Sequence, residues 1–232
     1  MNRISRIKPA TVLAVIAAAY LLAGPTAGFG RTPGQSAVTI ARLHYEGGGD
    51  WYCDPSSLPN WLSVFQSRTG IPTTEREVVV TLDSEDLYSY PFMYLSGHGR
   101  IALDQEDLTE LRRYLDAGGF LYADDNYGLV PSFRAMAADL FPDDPLEPIS
   151  SGHPIYRAYY DLPGLPKIHR HDGEPAQGFG VFRNGRLVLF YSYSSDVGDG
   201  LEDPDVHGDP SAVREEAAKM AVNILMYALT HP

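Results

Sequence analysis

The sequence predicts a single-domain α/β sandwich of three layers, with a mostly parallel sheet and an antiparallel hairpin late in the chain. Three observations carry this prediction. Residues 91–127 read as a strand, a polar loop, a helix, a Gly-Gly stop and a second strand, and such βαβ units are right-handed with parallel strands. Asn184-Gly185 between two apolar runs is the strongest short hairpin signal. The chain of 232 residues, 44% hydrophobic and 21% charged, suits one domain with a full core.

Taken in order, residues 38–45 form the first strand, with Val38, Ile40 and Leu43 apolar. It leads into Gly47-Gly48-Gly49-Asp50-Trp51-Tyr52, where glycine permits backbone conformations that other residues resist. Ser56 or Ser57 caps the next helix and Pro59 suits its first turn; Leu58, Trp61, Leu62 and Phe65 recur at helical spacing before Gly70. Residues 78–82, rich in β-branched side chains, form the second strand. Residues 92–95 are wholly apolar, as in a strand buried on both faces, and stop at Ser96-Gly97-His98-Gly99. Asp104 caps the central helix, Leu108, Leu111 and Leu115 make its stripe, and Gly118 ends it before the strand at 120–123.

Phe133, Met136, Ala137 and Leu140 mark a short helix that ends by Pro142, and residues 146–149 make a brief strand. Residues 162–177 form a loop rich in proline and glycine. Residues 178–182 and 187–191 are the arms of the hairpin. Residues 194–209 read as an acidic, solvent-facing loop. Asp209 caps the last helix, with Pro210 at its first position and Val213, Ala217, Met220, Ala221, Ile224 and Ala228 on its buried side.

Residues 1–30 have the pattern of an export signal, with Arg3, Arg6 and Lys8 before an apolar stretch and small residues near Ala27. The apolar stretch falls short of the roughly 20 residues a spanning helix needs. Cleavage is therefore expected over retention as an N-terminal anchor, leaving a domain of residues 36–232 in the periplasm or cell envelope. Contact with a membrane is expected only through that segment, if it is retained. The formal charge of −12 argues against a nucleic-acid partner, which needs a basic patch. Cys53 is the only cysteine, so no internal disulfide forms; with no basic residue within six positions it reads as a small hydrophobe, not a nucleophile.

A flavodoxin-like strand order, 2-1-3-4-5, brings the polar ends of three neighbouring strands to one crevice at the switch point. The residues offered there are Asp50, Trp51 and Tyr52, then Ser96 and His98, then Asp124, Asp125, Asn126 and Tyr127, with His153 from a later turn. His153 also suits a helix start at which its imidazole caps the backbone. A hydrolase would use His98 as base or metal ligand with Asp124 or Asp125; consecutive strand residues face opposite ways, so at most one Asp serves. Trp51 and Tyr52 can stack on a sugar.

Two side chains fall short of a zinc site, and the acids of 196–209 miss the EF-hand spacing. His169 and His171, beside Asp172 and Glu174, read as a solvated cluster. Gly-x-Ser-x-Gly, Gly-x-Gly-x-x-Gly and Walker patterns are absent from the chain, and no cofactor is expected.

GGGDWY after the first strand, SGHG after the third, YLDAGGFLYADD, LEPI followed by HPIY, and the terminal NILMYAL resemble a bacterial domain-of-unknown-function family over roughly residues 38–230. That family is similar to the class I glutamine amidotransferases. The resemblance implies a flavodoxin-like sheet and export or fusion to membrane modules, with genes near those of MoxR-type ATPases and Bat-type aerotolerance proteins. In true amidotransferases the elbow after the Gly-Gly turn carries the cysteine nucleophile. Here the elbow reads Ala123-Asp124-Asp125-Asn126, so glutaminase activity is not expected. The leading expectation is a noncatalytic binding or assembly module of the envelope, with a small ligand or a protein as partner. A hydrolase using His98 and a carbohydrate-binding module using Trp51 and Tyr52 are the alternatives.

Overall fold

The computed structural model describes residues 37–171 and 173–231, so the predicted export signal lies outside the described residues. Seven strands form one sheet: β1 (Ala41–Leu43), β2 (Val78–Val80), β3 (Phe92–Leu95), β4 (Phe120–Asp124), β5 (Glu147–Pro148), β6 (Gln177–Arg183) and β7 (Arg186–Tyr193). Their order is β2-β1-β3-β4-β7-β6-β5. The first five positions are parallel, and β6 and β5 add antiparallel to β7. The chain steps outward from β1 to β2 and then crosses to β3, which makes the β1/β3 boundary the switch point.

The helices are α1 (Ser57–Thr69), α2 (Gln105–Asp116), α3 (Val130–Leu140), the single turn α4 (Pro204–His207) and α5 (Ser211–Thr230). Strand alternation sorts the core into two faces. Phe92, Tyr94, Phe120, Tyr122 and Phe190 point toward α1 and α5. Met93, Leu95, Leu121, Ala123 and Tyr191 point toward α2 and α3. Trp61 of α1 sits at the centre of the first face, edge-on to Phe92, Tyr94 and Tyr122 at 5.6–6.0 Å, with its Nε1 donating to the Ala221 carbonyl. On α5, fully buried Asn223 accepts from the Tyr159 and Tyr160 amides and donates to the Tyr160 carbonyl, which ties that loop to the core.

Local expectations hold where a residue type has one job. Asn184 and Gly185 take φ of 52° and 79°, as a two-residue hairpin turn requires. Asp104 accepts from the Glu106 and Asp107 amides while Asp107 accepts back from Asp104, a full capping box.

Four expectations are corrected. The first strand is shorter than 38–45, because Val38 bridges to Thr73 and Glu46 to Ala102 on either side of the paired segment. The α1 start is not capped by its own serines: Glu202 accepts from the amides of Ser56 and Ser57 at 2.8 and 2.9 Å. Asp209 does not cap the last helix, since its carboxylate bonds His169 instead. Finally, the solvated loop expected over 194–209 is solvent-facing only over 203–208. Ser194, Ser195, Asp196, Val197, Leu201 and Glu202 are all buried. No helix among the described residues is long and apolar enough to cross a membrane.

Candidate functional site

The carboxyl ends of β1, β3 and β4 meet around a small polar cluster. Arg42, in the middle of β1 and 2% exposed, organises one wall: its guanidinium donates to the carbonyls of Trp51, Cys53 and Asp54 and lies 3.6 Å from Glu77. These bonds fold the loop after β1 back over the sheet end and leave Asp54 with φ of 54°. Opposite, Gly97 passes beneath Tyr45, whose hydroxyl donates to the Ser96 carbonyl. At φ of 146°, a Cβ on Gly97 would lie 2.1 Å from that hydroxyl, so only glycine fits.

Within this frame the Cys53 thiol donates to Asp54 Oδ2 at 3.1 Å and lies 3.7 Å from Ser96 Oγ. Ser96 Oγ donates to Asn126 Oδ1 at 2.6 Å. The Asn126 amide donates to Asp54 Oδ2 at 3.2 Å and reaches Asp199 Oδ1 at 3.5 Å, with Cys53 Sγ 3.8 Å away. A thiol thus sits near the tip of the β4 elbow, supplied by the loop after β1, two strands over, and not by the elbow itself.

The electrostatics hold that thiol neutral. Burial first, and then the Asp54 carboxylate beside it, push the Cys53 thiol far up from its usual range. Burial and the adjacent Asp199 carboxylate in turn raise Asp54 to about 8. Two carboxylates sharing so small a space favour one proton between them.

The expected site residues divide into three groups. Asp50, Ser96 and His98 do meet at the crevice. The carboxylate of Asp50 accepts from the His98 amide and lies 3.1 Å from His98 Nδ1, so the partner of His98 is Asp50 and not Asp124 or Asp125. Trp51 is half-buried, tilted on the His44 ring at 4.4 Å, and Tyr52 stands edge-on to it, 64% exposed. His44 also lines an open groove of about 940 Å³ that runs beside the crevice to Asp104, Glu106 and Asp107 at the start of α2.

Asp124 and Asp125 reach the right strand end but are turned into the protein. Asp124, fully buried, accepts from Tyr122 Oη, Ser192 Oγ and the amides of Val197 and Gly198. Burial raises it to about 6 in spite of those bonds. Asp125 accepts from Tyr191 Oη and the Ser194 amide, both at 2.7 Å. The two carboxylates face opposite sides of the sheet, as strand alternation requires, and neither is open to a ligand. His153 lies at the other end of the sheet, between Phe182 beside the hairpin turn and Tyr227 of α5, where its Nδ1 accepts from the Ile155 amide.

The domain of unknown function DUF4159 matches residues 39–229. The chain belongs to the DUF4159 family. No curated protein matches it.

In this DUF4159 domain the crevice residues missed at the level of sequence are Cys53, Asp54 and Asp199, whereas Asn126 is where the strand order puts it. Cys53 looks inert in the sequence because no basic residue is near it, and its neighbours Ser96 and Asn126 lie 43 and 73 positions away. The reading of His169 and His171 as a solvated cluster is also corrected. His169 Nδ1 lies 3.0 Å from Asp199 and 3.4 Å from Asp196, its Nε2 lies 2.9 Å from Asp209, and His171 contacts Asp196. The DUF4159 crevice therefore continues through Asp199 into a second, histidine-rich cluster.

Proposed function

We propose that this DUF4159 domain is a noncatalytic binding module of the cell envelope that takes a small ligand, or a segment of a protein partner, into the crevice between β1, β3 and β4. The state of its one thiol supports this reading most. Cys53 occupies the crevice, yet burial and Asp54 keep it protonated, whereas a catalytic cysteine needs a depressed pKa and an adjacent base. The carboxylates of strand β4 are already committed to structural hydrogen bonds. Asp50 and Asp199 make the crevice anionic, which suits a cationic or hydrogen-bond-donating ligand. The basic and apolar pattern of residues 1–30 supports export. The cysteine-free elbow at 123–126 supports descent from an amidotransferase-like ancestor that lost glutamine hydrolysis.

One observation favours a second reading, a thiol-dependent hydrolase. An atom each from Asp50, Cys53 and His98 lie within 4.8 Å of one another. A panel of p-nitrophenyl esters, anilides and glycosides separates the two. The binding reading predicts no turnover by the purified protein above that of Cys53→Ser. A rate lost in both Cys53→Ser and His98→Ala would overturn it and establish the hydrolase.

A further inference from the structure

We propose that His169, Asp199 and His207 form a binding site for a divalent transition-metal ion of zinc-like chemistry, at the flank of the crevice. One potential ligand atom from each of the three lies within 4.8 Å of the others. His169 Nδ1 is 3.0 Å from Asp199 Oδ2, and His207 Nε2 is 3.8 Å from the same oxygen. Ligands on a tetrahedral ion with bonds of about 2.1 Å stand about 3.4 Å apart, so these spacings bracket what an ion requires.

Two further observations point to a metal and not to a simple ion-pair cluster. The first is the far side of His169. Its Nε2 is 2.9 Å from Asp209 Oδ2, which is how a carboxylate outside a metal site fixes the tautomer and ring orientation of a ligating imidazole. This explains why Asp209 leaves the helix start that its position suits. The second is Asp196, 5% exposed, with Oδ1 lacking a hydrogen-bond partner among the described residues. Its Oδ2 stands 3.4 Å from His169 Nδ1 and against His171, so this buried carboxylate sits behind the ligating ring.

Three carboxylates converge on the single His169 ring, and a divalent ion balances them where one imidazolium does not. Imidazole and carboxylate donors without a thiolate select a borderline ion such as zinc over calcium. Three protein ligands also leave a coordination position open toward the crevice, where Asp199 Oδ1 faces Asn126. The site shares Asp199 with the crevice but uses none of Asp50, Cys53 or His98, so its failure and that of the binding reading are told apart by variants of those three.

The test is Zn²⁺ titration of the full protein after chelator treatment, by calorimetry and thermal unfolding, with Co²⁺ substitution read by visible absorption. Expected is one ion per chain, a rise in Tm, and a Co²⁺ spectrum without thiolate charge transfer. His207→Ala, at a half-exposed position on a single helical turn, is expected to weaken binding at least about tenfold, and Asp209→Asn by a similar factor. Cys53→Ala and His98→Ala are expected to leave binding unchanged. No binding, or binding lost with Cys53 or His98 and retained without His207, would overturn the proposal.

Discussion

Asp124→Ala is expected to cost on the order of 3–5 kcal/mol of folding stability, because it strands several buried donors at once. The carboxylate accepts from two hydroxyls, on Tyr122 of β4 and Ser192 of β7, and from the amides of Val197 and Gly198 beyond β7. It is the point where two parallel strands and residues 194–201 are joined. Removing it leaves Tyr122 Oη with Ser192 Oγ and takes from the two amides the carboxylate that accepts from them. A cavity adds to that loss. For a domain of this size the shift in Tm is about 10 °C, measurable by thermal or urea unfolding. Asparagine is not a rescue, since its amide nitrogen would face donors.

Stability is expected to fall as pH rises from acid to mildly alkaline conditions, measured with chelator present. In the folded protein Asp54 holds its proton to about 8, and Asp124 to about 6, against 3.8 for each when unfolded. Between the unfolded and folded values the native state binds more protons than the unfolded chain, so deprotonation favours unfolding. The effect of Asp124 is complete soon after pH 6, and that of Asp54 extends to pH 8. Tm at about pH 5.5 should exceed Tm at about pH 8.5, and Asp54→Asn should flatten part of that slope, the His169 imidazolium, raised to about 11 by its carboxylate partners, supplying a further part above pH 6.5. A Tm that rises over the same interval would show that the carboxylates of the crevice are not buried in each other's field.

Much of the architecture was legible because it rests on local rules. Alternation along 92–95 and 120–123 places Phe92, Tyr94, Phe120 and Tyr122 on one face and Met93, Leu95, Leu121 and Ala123 on the other. Asn184-Gly185 announces its turn, and the βαβ rule orders β3 and β4. The position of the crevice follows from the strand order alone.

The occupants of the crevice were less legible, for two physical reasons. The first is that proximity across a sheet is set by topology and not by spacing in the chain. Cys53, Ser96 and Asn126 come from three strand ends and have no common motif. The second is that the same acidic residue can be solvated or buried depending on distant donors. Asp196, Asp199, Glu202 and Asp209 look like a charged surface loop, yet they are bound by His169, His171 and the free amides of α1. Asp124 and Asp125 had a signal that reasoning from charge passed over. Tyr122 lies two residues before Asp124 on the same strand face, and Tyr191-Ser192 on the adjacent strand supplies one hydroxyl to each carboxylate.

The protonation state of Cys53 is the most direct test of the account. Iodoacetamide alkylation of the folded protein, followed against pH, is predicted to stay slow at neutral pH and to keep climbing without a plateau into the alkaline range, with Asp54→Asn accelerating it. Fast alkylation at neutral pH with a midpoint below that of an ordinary thiol, about 8.5, would show an activated cysteine and contradict the noncatalytic reading.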